Sequence, residues 1–198
     1  MSKADPAASK KARSKTIRWV VTIFLVTIVI SGAISFVSEE VMSRSGIFAA
    51  FLILLTIIFV GIIFDIIGMA VATADEKPFH SMAARKVPGA QAAIRLLRNA
   101  ERVSSICNDV VGDICGVVSG SASATIAALV MQHMDFGWPQ LISLLMSAFC
   151  AGLTVGGKAI GKTFAVNSAT EIVHAVGELI YWIEHAPAFL RAKKKNKQ

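Results

Sequence analysis

The sequence predicts an all-α, polytopic membrane protein with four transmembrane helices plus amphipathic juxtamembrane helices. Three observations carry this. Hydrophobic residues make up 55% of the 198, and the mean hydropathy of +0.63 is high for a soluble domain. Apolar runs at about 18–38, 46–73, 103–132 and 140–164 each supply the ~20 residues that one helical crossing of hydrocarbon needs. Charged residues gather at the ends of those runs and scarcely within them. Three divisions follow: an N-terminal arm (1–16), a membrane domain (17–166) and a C-terminal helix with a tail (167–198).

Residues 1–16 are small, polar and basic, and read as a disordered arm. The first span is charge-free from Trp19 to Ser38, with Trp19 as an interfacial anchor. It ends in Phe-Val-Ser-Glu-Glu without a small-residue cleavage site, so it reads as a retained helix and not a signal peptide. A short connection, Ser38–Ser45, makes spans one and two neighbours.

Span two carries one charge, Asp65, followed by Gly68, Ala70, Ala72, Thr73 and Ala74, a segment suited to close helix contact. At 1.5 Å per residue, Asp65 lies ~15 Å from Asp75 at the end of the run. The juxtamembrane segment 75–102 is broken by Pro78 and by Pro88-Gly89. Its second piece sets Ala92, Ala93, Leu96, Leu97 and Ala100 on one side and Arg95, Arg98 and Arg102 on another. That pattern predicts an amphipathic helix at the membrane surface, with Asn99 as a cap or kink before the next helix.

Span three is the chemically unusual one. It opens with Asn108, Asp109 and Asp113, and it carries Gly112, Gly116 and Gly120, each four residues from the next. Carboxylates at membrane depth are costly and usually face a partner, a cavity or an ion. Small residues at every fourth position admit a second helix at close range. Counted from Arg102, Asp109 lies at ~10 Å and Asp113 at ~16 Å, a depth similar to that of Asp65. The bland alternative for each is a helix-end aspartate reaching for water. If the three converge, at least one takes a proton or pairs with Lys158, and cation binding strengthens as pH rises.

The connection His133–Pro139 reads as a solvated outer loop with Trp138 at the interface. A passing cation at His133 and Asp135 is the less favoured reading. In span four, Gly152 and Gly156 repeat the four-residue spacing, as do Gly157 and Gly161, and predict a packing surface for span three. Lys158 and Lys162 either snorkel to water or neutralise Asp109 or Asp113. Beyond it, Ser168-Ala169-Thr170-Glu171 reads as a capping box. The helix it starts has an apolar side at Ile172, Val173, Val176, Leu179, Ile180 and Ile183, and is expected to stop at Pro187 before the tail Lys193–Lys197. It suits a membrane surface or a dimer contact.

The net charge of +7 is distributed unevenly. If four spans alternate, 19 of the 20 basic residues fall on one side, and Arg44 alone on the other. That is the positive-inside pattern, so both termini are expected in the cytoplasm, most simply at a bacterial inner membrane. Anionic lipid is then a sufficient partner and nucleic acid is not needed. Cys107, Cys115 and Cys150 all lie in spans and form no CxxC pair, which argues against a zinc site or a disulfide framework. No GxSxG, HExxH or aspartyl-protease signature is present, so an enzyme is not expected.

A span ending in small residues (Phe64 to Asp75), the basic segment Ala92-Ala93-Ile94-Arg95-Leu96-Leu97-Arg98-Asn99-Ala100-Glu101-Arg102 and the helix start Ile106-Cys107-Asn108-Asp109-Val110-Val111 occur in one order. This order resembles the transmembrane domain of the CNNM/CorC (CorB-like) magnesium and cobalt transporters over about 61–164. The resemblance implies an ion site in which Asp65 stands for the family's serine and Asn108 with Asp109 for its asparagine pair. It also implies a homodimer. The chain departs from the pattern at Asp65-Ile66-Ile67-Gly68, where the acidic residue has moved, and at Asp113, which has no counterpart. A span precedes the matching region, and the chain is expected to lack the family's cytosolic regulatory modules.

The expected function is therefore magnesium transport by alternating access through an intramembrane Asp/Asn site. Hard oxygen ligands suit Mg²⁺, which keeps several of its waters. A non-transporting membrane scaffold or accessory subunit is the alternative. In that case the aspartates are simply paired and the glycines mediate assembly.

Overall fold

A computed structural model describes the backbone of residues 6–133 and 138–195 and the side chains of residues 17–132 and 138–185. Among the described residues the chain is helical, without strands. The elements are α1 (Pro6–Arg44), α2 (Ile47–Thr73), α3 (Lys77–Ala84), α4 (Ala90–Arg98) and α5 (Ala100–Ser105). A π-helical segment (Ile106–Gly112) then leads into α6 (Asp113–His133), α7 (Pro139–Asn167) and α8 (Ala169–Lys195).

Four stretches are long and apolar enough to cross a membrane: Ile17–Arg44, Ile47–Thr73, Ala100–Gln132 and Pro139–Asn167. They make the chain a multi-pass membrane protein. Each pairs its backbone groups within itself, as hydrocarbon demands. Large apolar side chains on these helices stand exposed, Phe24, Val29, Phe36, Phe48, Leu144 and Ile160 among them. In water such surface would be a fault; in a bilayer it is the lipid face.

Three local expectations are corrected. α1 begins at Pro6, so residues 6–16 are helical and not a disordered arm. Alanine and lysine are good helix formers, and a turn added to an existing helix escapes the cost of nucleation. At the other end, α8 runs through Pro187 to Lys195 instead of stopping there. A proline inside a helix removes one backbone bond and strains the preceding turn, which a long helix tolerates better than a short one. Ser168 does not start α8 as a capping box would. Its N–H donates to the Phe164 carbonyl and its carbonyl accepts from Ile172 N–H, both at 3.0 Å, so helical bonding runs across the boundary. The His133 and Asp135 side chains, the arm before Pro6 and the tail beyond Lys195 lie outside the described residues.

The chain divides into two compact units, Met1–Ile57 with Ile114–Ser147 and Ile58–Asp113 with Ala148–Gln198. In the first, α6 buries Val118, Ala122, Ile126 and Ala127 with Ser119 and Ser123, a stripe repeating every four residues. The two serine hydroxyls donate to the carbonyls of Gly116 and Gly120 at 2.9 and 2.8 Å, so each polar group is satisfied within its own helix.

The second unit has its core where α2 leaves the apolar run. Ala70, Val71, Phe79, Ala93, Ala165, Ala169 and Val173 are buried together. The alanine side of α4 expected to lie on the membrane surface is instead packed in protein, against α8. Gly89, at φ 81°, brings the two backbones together against Gly177 and Glu178. A Cβ at Gly177 would stand 2.7 Å from the Gly89 carbonyl oxygen. Arg95 and Glu184 close the same contact with an exposed ion pair at 2.7 Å. Asn99 separates α4 from α5 without capping; its amide donates back to the Arg95 carbonyl at 2.9 Å. Leu179, Trp182 and Ile183 stay exposed on the other side of α8.

Candidate functional site

One stripe of α2 is buried along its length: Ala50, Leu54, Ile58, Gly61, Asp65 and Gly68, at spacings of three and four. Asp65 therefore falls on the inward stripe by helical register alone. It is 4% exposed, eight residues before the end of α2, or ~12 Å along the axis. A carboxylate this enclosed in a spanning helix needs compensation.

Two neighbours supply it. From α7, Lys158 Nζ stands 3.9 Å from Asp65 Oδ1, and Lys162 Nζ stands 4.0 Å from Oδ2. The lysines are four residues apart and so share one face of α7. The same face approaches α2 because it carries Gly157 and Gly161. A Cβ on Gly161 would meet Ile66 at 2.8 Å, and one on Gly157 would overlap Ile62. Small residues on one helix thus receive isoleucines of the other, and the lysines are drawn beside Asp65.

These separations balance charge without making hydrogen bonds. A charge-assisted N–H···O bond is ~2.7–2.9 Å, about 1 Å shorter than either pair here. Asp65 Oδ2 is buried with no donor among the described residues.

The π-helical segment supplies the third wall. Asn108 lies directly over Gly68, where any Cβ would collide with its Oδ1. Its amide nitrogen donates to Ser104 Oγ at 3.3 Å, while Oδ1 is buried and, like Asp65 Oδ2, has no donor among the described residues. One turn on, the lack of a side chain at Gly112 lets Lys158 come close. A Cβ there would stand 3.3 Å from Lys158 Nζ, 3.4 Å from the Cys107 carbonyl oxygen and 3.8 Å from Asp65 Oδ1. Lys158 also donates to the Gly112 carbonyl at 3.4 Å. Wide π turns often lie at functional sites, and here the turn falls on the polar stretch of the span.

The four expected ligands are therefore divided. Asp65 and Asn108 come to one helix crossing. Asp109 and Asp113 are exposed, and Asp109 Oδ2 accepts from Ser105 Oγ at 2.8 Å within its own helix. The expected cluster of three carboxylates is not formed, because both aspartates occupy the exposed side of the span. Among the described residues no group of three His, Cys, Asp or Glu side chains is placed to hold a metal ion.

The packing glycines are also redistributed. Gly112 is in the crossing, but Gly116, Gly120, Gly152 and Gly156 face open space. Gly157 and Gly161, five residues on and about 140° around the helix, take the role expected of Gly152 and Gly156 and receive α2 instead of span three. Lys158 and Lys162 meet Asp65, not Asp109 or Asp113. The signal for this was the shared face of Lys158, Lys162, Gly157 and Gly161 on α7.

Comparisons of the chain with family models, with curated proteins and with solved structures give no match.

Proposed function

We propose that the protein transports a divalent cation, magnesium being the ion best suited, through the crossing of Asp65 and Asn108. One observation carries this reading: two buried oxygens, Asp65 Oδ2 and Asn108 Oδ1, find no donor among the described residues at a single crossing of membrane helices. Buried acceptors are ordinarily satisfied, and leaving one without a partner costs about 1–3 kcal/mol. A cation satisfies oxygens that no N–H of the described residues reaches. A carboxylate and an amide oxygen with backbone carbonyls nearby are hard ligands, and Mg²⁺ fills its other positions with water. The likeness of residues 61–164 to the CNNM/CorC transporters supports the same ion. Alternating exposure of the crossing would move it.

In this reading both termini are cytoplasmic, at the inner membrane of a bacterium, and the protein works as a homodimer. The open faces at Gly152 and Gly156 are available to a second copy. Cross-linking in lipid that captures only monomer removes the dimer from the proposal.

A second reading, a non-transporting scaffold or accessory subunit, draws on the two lysines that already balance Asp65. Magnesium uptake by proteoliposomes separates the two. For a transporter, Asp65→Asn abolishes uptake while the protein remains folded. For a scaffold, wild type shows no uptake above empty vesicles, and the substitution weakens assembly.

A further inference from the structure

The Asp65 crossing holds more positive charge than it needs. Two ammonium groups flank one buried carboxylate, and a divalent cation entering beside both would be repelled. One has to leave. Lys158 is the one placed among the oxygens a cation would use: 3.9 Å from Asp65 Oδ1, 3.4 Å from the Gly112 carbonyl oxygen, and close against Gly112, where a Cβ would stand 3.3 Å from its Nζ. Lys162 is one turn farther along α7, and its side chain is 50% exposed against 22% for Lys158.

We infer that Lys158 is the resident counter-cation of this site, occupying it when no cargo is bound and withdrawing when cargo arrives. The inference rests on the cation-transport reading and adds to it a named competitor for the cargo. Three physical features make the ammonium exchangeable. It makes no direct hydrogen bond to Asp65, so leaving breaks only a long bond to a carbonyl. Its four-carbon stem is flexible and carries the charge toward water while the methylenes stay in apolar surroundings. Its side chain is 22% exposed, so it is not sealed within the packing. When Lys158 withdraws, the cation takes over the neutralisation of Asp65, so the carboxylate is never left bare in low dielectric. The empty site is thus charge-compensated, and cargo binds against a tethered ammonium instead of into a vacant anionic hole.

The test uses the purified full chain and reads the magnesium concentration that gives half-maximal thermal stabilisation. Lys158→Met, which keeps the length and removes the charge, lowers that midpoint about fivefold or more, the lower end of ordinary coupling between two ligands. Lys158→Arg raises it, because the guanidinium reaches Asp65 with two parallel donors and is harder to displace. Lys162→Met shifts it less than Lys158→Met does. A midpoint unchanged in the Met variant, or unchanged in the Arg variant should the Met variant not fold, overturns the inference and makes Lys158 a structural partner only. Asp65→Asn separates this from failure of the transport reading. If magnesium stabilises wild type and Asp65→Asn alike, or stabilises neither, the cation site itself is wrong and the role of Lys158 falls with it. If Asp65→Asn alone abolishes the response, the site stands and the Lys158 variants decide.

Discussion

Asn108 and Asp65 are held by absences as much as by contacts. Gly68 has no side chain, and the Asn108 amide lies in the space a methyl would take. Gly68→Ala therefore pushes the Asn108 oxygen away while leaving Asp65 and both lysines unchanged. The expected result is a folded protein whose magnesium midpoint rises about tenfold, the loss of one modest ligand contact of ~1.4 kcal/mol. Asp113→Asn, on an exposed residue, leaves the midpoint within error. A loss in Asp113→Asn as large as that in Gly68→Ala would mean that the exposed side of the span, and not the crossing alone, sets the affinity. Asp65 could be recognised from sequence because one charge in a 27-residue apolar helix admits few readings. Its partners could not. Lys158 and Lys162 had three aspartates within plausible reach, and only the rotation of α7 about its axis decides among them.

At the scale of elements, the α4–α8 contact and the α2–α7 contact use glycine in different ways. Gly157 and Gly161 admit side-chain ends, Ile62 and Ile66, which can shift. Gly89 and Gly177 admit backbone, which cannot. Gly89→Ala also places a Cβ on a residue at φ 81°, where L-residues pay roughly 1–2 kcal/mol before any collision is counted. The expected loss exceeds ~2 kcal/mol and lowers the thermal midpoint by several degrees. Gly152→Ala, into open space, changes stability by less than ~0.5 kcal/mol in the isolated chain. Breaking the exposed pair with Glu184→Ala costs at most ~1 kcal/mol. Thermal unfolding in detergent ranks the three. Spacing alone did not reveal these roles, because Gly152 with Gly156 and Gly157 with Gly161 have the same four-residue repeat. One residue is about 100° of helix, so the choice between the pairs depends on what packs there. The π turn was equally hidden, because no local propensity distinguishes Ile106–Gly112 from an ordinary helical stretch.

At the scale of the molecule, four apolar helices were legible from run length alone, since hydrocarbon leaves few ways to arrange a 20-residue apolar run. Orientation rests on charge. Four crossings put Arg44 in one set of connections and the other basic residues in the opposite set, and lysine and arginine resist translocation. A phosphatase active only outside the cell, fused after Gln198, is therefore expected to be inactive, and the same reporter inserted after Ser45 to be active. Moving the bias should move the protein. Two arginines added beside Arg44, together with replacement of Lys10, Lys11, Arg13 and Lys15 by glutamine, reduce the asymmetry around the first span most strongly and should give a mixed population. If the Gln198 fusion is active in the unaltered chain, the orientation is reversed. Asp65 would then open toward the opposite side of the membrane, and Lys158 would withdraw toward the outer water instead of the inner.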